Sequence, residues 1–257
     1  MSVKRIKKSF RNLLIAFGFL TILPGLGRIS VDPDEIGESS AFFPVVGLFI
    51  GLVIYALSLL RGLSPLTISV IICVSLIVLT RGMHADGVVD TFDGFLSGKA
   101  SKDETLAVMK DPRLGALGFV SSLCIYLLKI VFVYEVVLRL PKDPLLYIAL
   151  PPMLSRGTLP FHAWFFPPAR VKEGLGKKFK SSVKLRQVVA SFILTELFSM
   201  RPGDIRPLIF APVLIFFWIG WGFLCMKKIG GITGDTMGAG VELAEVFSFI
   251  LVLIIVI

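Results

Sequence analysis

Apolar residues in this chain gather into long blocks divided by short polar stretches. The blocks cover 41–60, 65–83, 114–138, 145–166, 187–200, 208–226 and 241–257. Most run to about 17–24 residues, enough for a helix to cross the hydrocarbon core of a bilayer. An earlier stretch, 12–24, is too short to span and ends in Pro24-Gly25, so it reads as a re-entrant or interfacial helix. No internal repeat or low-complexity tract breaks the pattern, and the longest polar loop, about 30 residues, is too short for a soluble domain of its own. The pattern predicts an all-α fold. It is a polytopic integral membrane helical bundle of about seven spanning helices plus the short N-terminal helix, with 1–257 as a single membrane domain.

Composition adds little to this. At 55% hydrophobic and 18% charged, the chain is more apolar than a soluble domain of its length. The net charge of +9 says more. In a membrane chain Lys and Arg gather in cytoplasmic loops and set the orientation, so the excess calls for no nucleic-acid partner. Part of it suits a phosphate-rich substrate. The N-terminus, "MSVKRIKKSFRNLLIAFGFLTILPG", imitates a signal peptide, but "LGRISVDPDE" follows without a small-x-small cleavage site, so the segment is expected to stay. Cys73, Cys124 and Cys225 have apolar neighbours and no metal-ligand spacing, which excludes disulfides and structural zinc.

Loop charge orients the map. With each block crossing once and 12–24 not crossing, 1–11, 25–40, 84–113, 167–186 and 227–240 share one side. Arg61, Arg139, Lys142, Arg201 and Arg206 lie opposite, Lys129 and Arg156 lie within blocks, and, with Arg81 counted in its adjoining loop, the remaining 20 of 27 basic residues fall on the shared side. That side is the cytoplasm, and the protein is placed in the cell membrane as a multi-pass chain in contact with the lipid bilayer. The three most polar, glycine-containing stretches, 84–118, 167–180 and 230–245, come to this one face, so a shared active site there is expected.

Directly after the second block comes "RGMHADGVVDTFDG", residues 81–94. Asp86, Asp90 and Asp93 stand at i, i+4 and i+7, along one face of a helix. Three converging carboxylates repel unless a cation sits among them, and oxygen-only ligands suit Mg2+ or Mn2+ rather than zinc. A solvated acidic helix end is the plainer reading, but no basic residue lies between Arg81 and Lys99 to neutralise them. His84 suits either a general base or a residue that orients a carboxylate.

In "MKDPRLGALG", residues 109–118, Lys110 and Arg113 precede a membrane helix whose N-terminus favours phosphate. A plain interfacial anchor explains the stretch equally simply. Arg170, Lys177 and Lys178, in "PPARVKEGLGKKFK", suit a phosphate clamp or an ordinary basic loop. In "GGITGDTMGAGVELAE", residues 230–245, Asp235 sits in a glycine-rich turn and Glu242 and Glu245 lie inside the final block. Carboxylates there are expensive, which points to a second group of metal ligands, with favourable placement at a helix N-terminus as the alternative. Arg156, among prolines expected to break its helix, points to a water-filled cavity or an anionic ligand. Lys129 and Glu135 share one helix and are expected to pair with other charges, and His162 is expected at the interface.

Acidic metal ligands and basic clamps on a membrane bundle suggest phosphoryl or nucleotidyl transfer. "GMHADGVVDTFDGFLSG", "LAVMKDPRLGALG", "ARVKEGLGKKF" and "GGITGDTMGAGVELAE" resemble, in order, the four signature stretches of the cobalamin synthase (adenosylcobinamide-GDP ribazoletransferase) family, over its whole length. Ala85 and Glu173 depart from the pattern at positions that carry no ligand role. The resemblance implies an enzyme that joins α-ribazole, or its 5′-phosphate, to adenosylcobinamide-GDP with release of GMP and uses Mg2+. It implies metal ligands at Asp86, Asp90, Asp93, Asp235, Glu242 and Glu245. Lys110, Arg113, Arg170 and Lys177 would neutralise pyrophosphate, with His84 as candidate base. A homodimer is compatible with the sequence, which leaves oligomeric state open.

Two rivals remain at this stage. A CDP-alcohol phosphotransferase shares an aspartate array, but here Val88, Val89 and Asp90 follow Asp86-Gly87 where that family has Ala-Arg. An ion-coupled transporter is expected to place its acids near the midplane and to show internal repeats, neither of which the sequence suggests.

Overall fold

A computed structural model describes residues 3–23, 31–139, 145–169, 179, 181–200 and 203–255. Eleven α-helices run through them: α1 (Val3–Leu20), α2 (Pro33–Ser39), α3 (Phe43–Ser58), α4 (Pro65–Leu79), α5 (Met83–Leu96), α6 (Lys102–Val108), α7 (Ala116–Arg139), α8 (Leu145–Phe165), α9 (Leu185–Ser199), α10 (Phe210–Ile229) and α11 (Gly234–Ile255). The described residues form no strand; Pro168 and Ile232 make a single bridge. The all-α membrane bundle is as the apolar blocks predict.

Helix starts follow local chemistry. Ser64 caps α4 by accepting from the Thr67 amide, with Pro65 in the first turn. Ser101 and Glu104 form a capping box on α6. At α11, the Thr233 hydroxyl takes the Thr236 amide while the Thr236 hydroxyl takes the Thr233 amide, at 3.2 and 2.8 Å.

Among the described residues four stretches are long and apolar enough to span a membrane: Asp34–Ser58, Ala116–Arg139, Arg206–Ile229 and Gly234–Ile255. The pair α4 and α5 is long and apolar enough only when taken together, and its 90° bend makes it a broken span or a re-entrant loop. The sequence pattern expects about seven. Helices do form at 145–165 and 185–199, but α8 carries three prolines, Arg156 and His162, and α9 has only 15 residues. At the N-terminus the expectation of a short 12–24 helix is corrected: one amphipathic helix starts at Val3 and takes in the basic residues.

The prolines do not break α8. Pro151, Pro152 and Pro160 lie inside a continuous helix, and neighbouring side chains bond backbone carbonyls there. Arg156 donates to the Pro152 carbonyl at 3.1 Å and Thr158 to that of Leu154 at 2.7 Å. A side chain at Gly47 or Gly51 of α3 would run into the backbone of Pro152 or Ala149, so the two helices meet backbone to backbone. This α3–α8 seam is the centre of the core, with Val46, Ile50, Leu150 and Met153 fully buried along it.

Candidate active site

The site begins at the elbow between α4 and α5. Arg81 and Gly82 both adopt left-handed backbone, at φ 56° and 68°, and two such residues in succession turn the chain through the bend. The Arg81 guanidinium donates to the Gly18 carbonyl of α1 at 3.1 Å. Beyond the elbow, α5 carries Asp86, Asp90 and Asp93, as the spacing predicts.

On its neighbouring face α5 lies directly against the start of α11. A side chain at Gly87 would meet the Asp235 carbonyl at 2.7 Å, and one at Gly238 would lie 3.4 Å from the His84 Cα. Asp235, at the head of α11, therefore sits beside the helix that carries Asp86 and Asp90. Asp86 is exposed, and Asp90 and Asp235 are half-buried. Thr233 donates its hydroxyl to Asp235 at 3.2 Å.

Asp93 serves differently. Its two oxygens accept from the amides of Gly115 and Gly118, at 2.9 and 2.6 Å. It thus caps α7 and fills the helix N-terminus that the sequence reading offers to phosphate. Gly115 and Gly118 are needed because a side chain at either would run into the Asp93 carboxylate. In the same turn Arg113 folds back onto Asp111, its Nε 2.9 Å from the carboxylate. That hydrogen bond holds the Asp111 carboxyl down at about 2. Lys110 is exposed.

Further contacts bring the remaining stretches to this end. Ala169 donates to the Ile232 carbonyl and Ile232 to that of Pro167, each at 2.9 Å. Lys228 of α10 caps the end of α5 on the Phe95 carbonyl at 2.7 Å. Arg170, Lys177 and Lys178 lie outside the described residues.

Glu242 and Glu245 meet basic side chains, not the aspartates. Both accept from the Lys129 ammonium, Glu245 at 2.7 Å, and Glu245 also pairs with Arg156. All four side chains are buried. The anion expected at Arg156 is thus internal, because two buried cations and two buried carboxylates neutralise one another. His84 is only 2% exposed. Its Nδ1 lies 3.4 Å from Arg156 Nη2, and a guanidinium can only donate. This position favours the orienting role of His84 over the base. His162 is buried against Trp218 and Phe166 rather than interfacial.

Among the described residues no three His, Cys, Asp or Glu side chains are grouped to hold a metal ion. The donor chemistry of Asp86, Asp90 and Asp235 nonetheless fits a hard divalent cation. Mg2+ typically takes one or two carboxylates and completes its shell with water and substrate phosphate, so a closed protein cage is not required. Lys129 is the residue to which the sequence assigns no place in the site. Its signal is a lysine inside a membrane-length apolar helix.

A family model described as cobalamin-5-phosphate synthase matches residues 12–254. The protein named adenosylcobinamide-GDP ribazoletransferase from Caldanaerobacter subterraneus subsp. tengcongensis is 33% identical over 253 residues, covering 95% of this chain and 98% of its own. Its namesake from Desulforamulus reducens is 34% identical over 255 residues, covering 95% and 97%. The one from Pseudomonas fluorescens is 33% identical over 239 residues, covering 90% and 94%. No solved structure matches the chain.

Proposed function

The chain belongs to the cobalamin-5-phosphate synthase family, and on that premise we propose that it acts as an adenosylcobinamide-GDP ribazoletransferase, completing the lower nucleotide loop of cobalamin. Its second substrate is α-ribazole or the 5′-phosphate. A ribose hydroxyl of that substrate attacks the phosphorus nearer the cobinamide. The new P–O bond replaces the bond to the bridging pyrophosphate oxygen, GMP leaves with that oxygen, and the hydroxyl proton is released.

The observation that carries this reading is the meeting of stretches far apart in sequence around the α5–α11 crossing. Gly87, between Asp86 and Asp90 on α5, packs against the Asp235 backbone, the 109–118 turn is fastened by Asp93, and 167–169 is fastened to Ile232. Asp86, Asp90 and Asp235 would hold Mg2+, which when bound offsets negative charge on the pyrophosphate. Lys110 supplies positive charge at the rim, and Arg170, Lys177 and Lys178 are the further basic residues assigned to the pyrophosphate. Asp93 and His84 orient rather than ligate. Basic-residue asymmetry supports a cytoplasmic site in the cell membrane. The apolar residues that α7 exposes, Leu123, Leu127 and Val131 among them, would then face lipid.

The test is GMP release by detergent-purified protein given adenosylcobinamide-GDP, α-ribazole phosphate and Mg2+. Release that needs both substrates and the metal and is lost in Asp90→Ala is expected. A folded protein that binds neither substrate and releases no GMP would sink the assignment.

A further inference from the structure

Beneath the carboxylate face lies a set of charges to which the proposed reaction gives no role. Lys129 of α7 is fully buried, and its ammonium donates to both Glu242 and Glu245 of α11. Arg156 of α8 pairs with Glu245 and reaches His84 of α5. One network therefore joins four helices, including the two that carry the aspartates. Glu242 follows Asp235 by two helical turns, about 10 Å along α11. Between α5 and α11 no side chain cushions the crossing, since Gly87 and Gly238 bring backbone against backbone. A small slide of α11 would thus be felt at Asp235. Charges inside a membrane protein are costly and are usually kept for a task.

We propose that Lys129 is a positioning residue. Its ammonium fills, from within the chain, the place a metal ion would take between Glu242 and Glu245. It thereby fixes the register of α11 that sets the Asp235 backbone against α5, the helix that carries Asp86 and Asp90. The inference rests on the proposed function only in taking those three aspartates as the cation-binding set. It requires one divalent cation per chain, bound without Glu242 or Glu245.

Mn2+ alone is the probe, titrated into the full-length purified protein and followed by electron paramagnetic resonance, with GMP release measured in parallel. The native protein is expected to bind one Mn2+ per chain. Lys129→Met leaves a buried carboxylate uncompensated and, by letting α11 shift, is expected to weaken Mn2+ binding about 10-fold, the lower end of the cost of disturbing what orients a ligand. Because that variant is at risk of misfolding, Lys129→Met is also combined with Glu242→Gln, which keeps the network neutral. The pair is expected to melt near the native temperature, bind Mn2+ about 10-fold more weakly, and lose kcat with KM unchanged. Lys129→Arg should recover part of both.

Tighter Mn2+ binding, or a second Mn2+, in Lys129→Met would overturn the proposal, because Lys129 would then be competing with metal for its true ligands. Native Mn2+ affinity and turnover in the neutral pair would reduce Lys129 to packing and overturn it equally, as would a native protein that binds no Mn2+. A native protein that binds one Mn2+ but releases no GMP would refute the reaction instead, and the Mn2+ series would still judge Lys129.

Discussion

The carboxylate of Asp93 lies 2.6 Å from the amide nitrogen of Gly118, and its other oxygen lies 2.9 Å from that of Gly115. An aspartate that shares a helix face with Asp86 and Asp90 is thereby taken up as the N-terminal cap of a different helix. The cap locks α5 to the turn carrying Lys110.

Asp93→Ala should cost about 1–2 kcal/mol of stability, the usual worth of a cap strengthened by charge. Asp93→Asn, which still accepts one hydrogen bond, should cost less. Denaturation in detergent measures both, and Mn2+ binding should survive in each. Loss of Mn2+ binding in a folded Asp93→Asn would return Asp93 to the ligands.

Removing a carboxylate that faces the ligand should act differently. Asp86→Ala, Asp90→Ala and Asp235→Ala should each weaken Mn2+ binding by at least about 10-fold in the folded protein. Chelation of the metal should stop GMP release, and added Mg2+ should restore it. Unchanged metal binding in all three variants would remove them from the site.

Two glycines in helices separate close approach from mere flexibility. At Gly87 a methyl would meet the Asp235 backbone, so Gly87→Ala should cost about 1–3 kcal/mol and much of the activity. At Gly220 nothing lies within 4 Å, so Gly220→Ala should be neutral or stabilise by about 0.5–1 kcal/mol through helix propensity. Comparing melting of the two variants in one detergent decides the matter.

Acid should loosen the 111–113 turn in a defined window. The Asp111 carboxyl is lowered from 3.8 to about 2 by Arg113, and a depressed folded-state value means the ion pair stabilises above the unfolded value. Its contribution is complete above about pH 4 and fades as pH falls through about 2. The melting difference between the native protein and Asp111→Asn should be flat from pH 5 to 8 and shrink below about 4. It should also be small, because the pair is exposed.

Topology can be read by labelling. In a Cys124→Ser background, Ser101→Cys and Ser181→Cys should react from the cytoplasmic side and Ser64→Cys from the other. Thr236, although in the polar stretch 230–245, is fully buried and should stay unreactive. Labelling of Ser101→Cys from outside would invert the map.

The sequence alone determined the all-α membrane class and the aspartate spacing along α5. Block length, basic-residue bias and a 3.6-residue repeat are local or additive properties, readable without knowing which helix touches which. It misjudged the ends of α1 and the continuity of α8, because packing such as the α3–α8 seam holds a helix together through its prolines and the linear pattern cannot show that packing. The partners of the carboxylates were decided only by tertiary structure. Asp90 and Asp93 stand on the same helical face, yet only Asp93 meets the open amides of α7. Glu242 and Glu245 read as metal ligands until Lys129 and Arg156 arrive from other helices. Periodicity sets the face on which a charge lies. Its counter-charge comes from a neighbouring helix, and helix packing selects that neighbour.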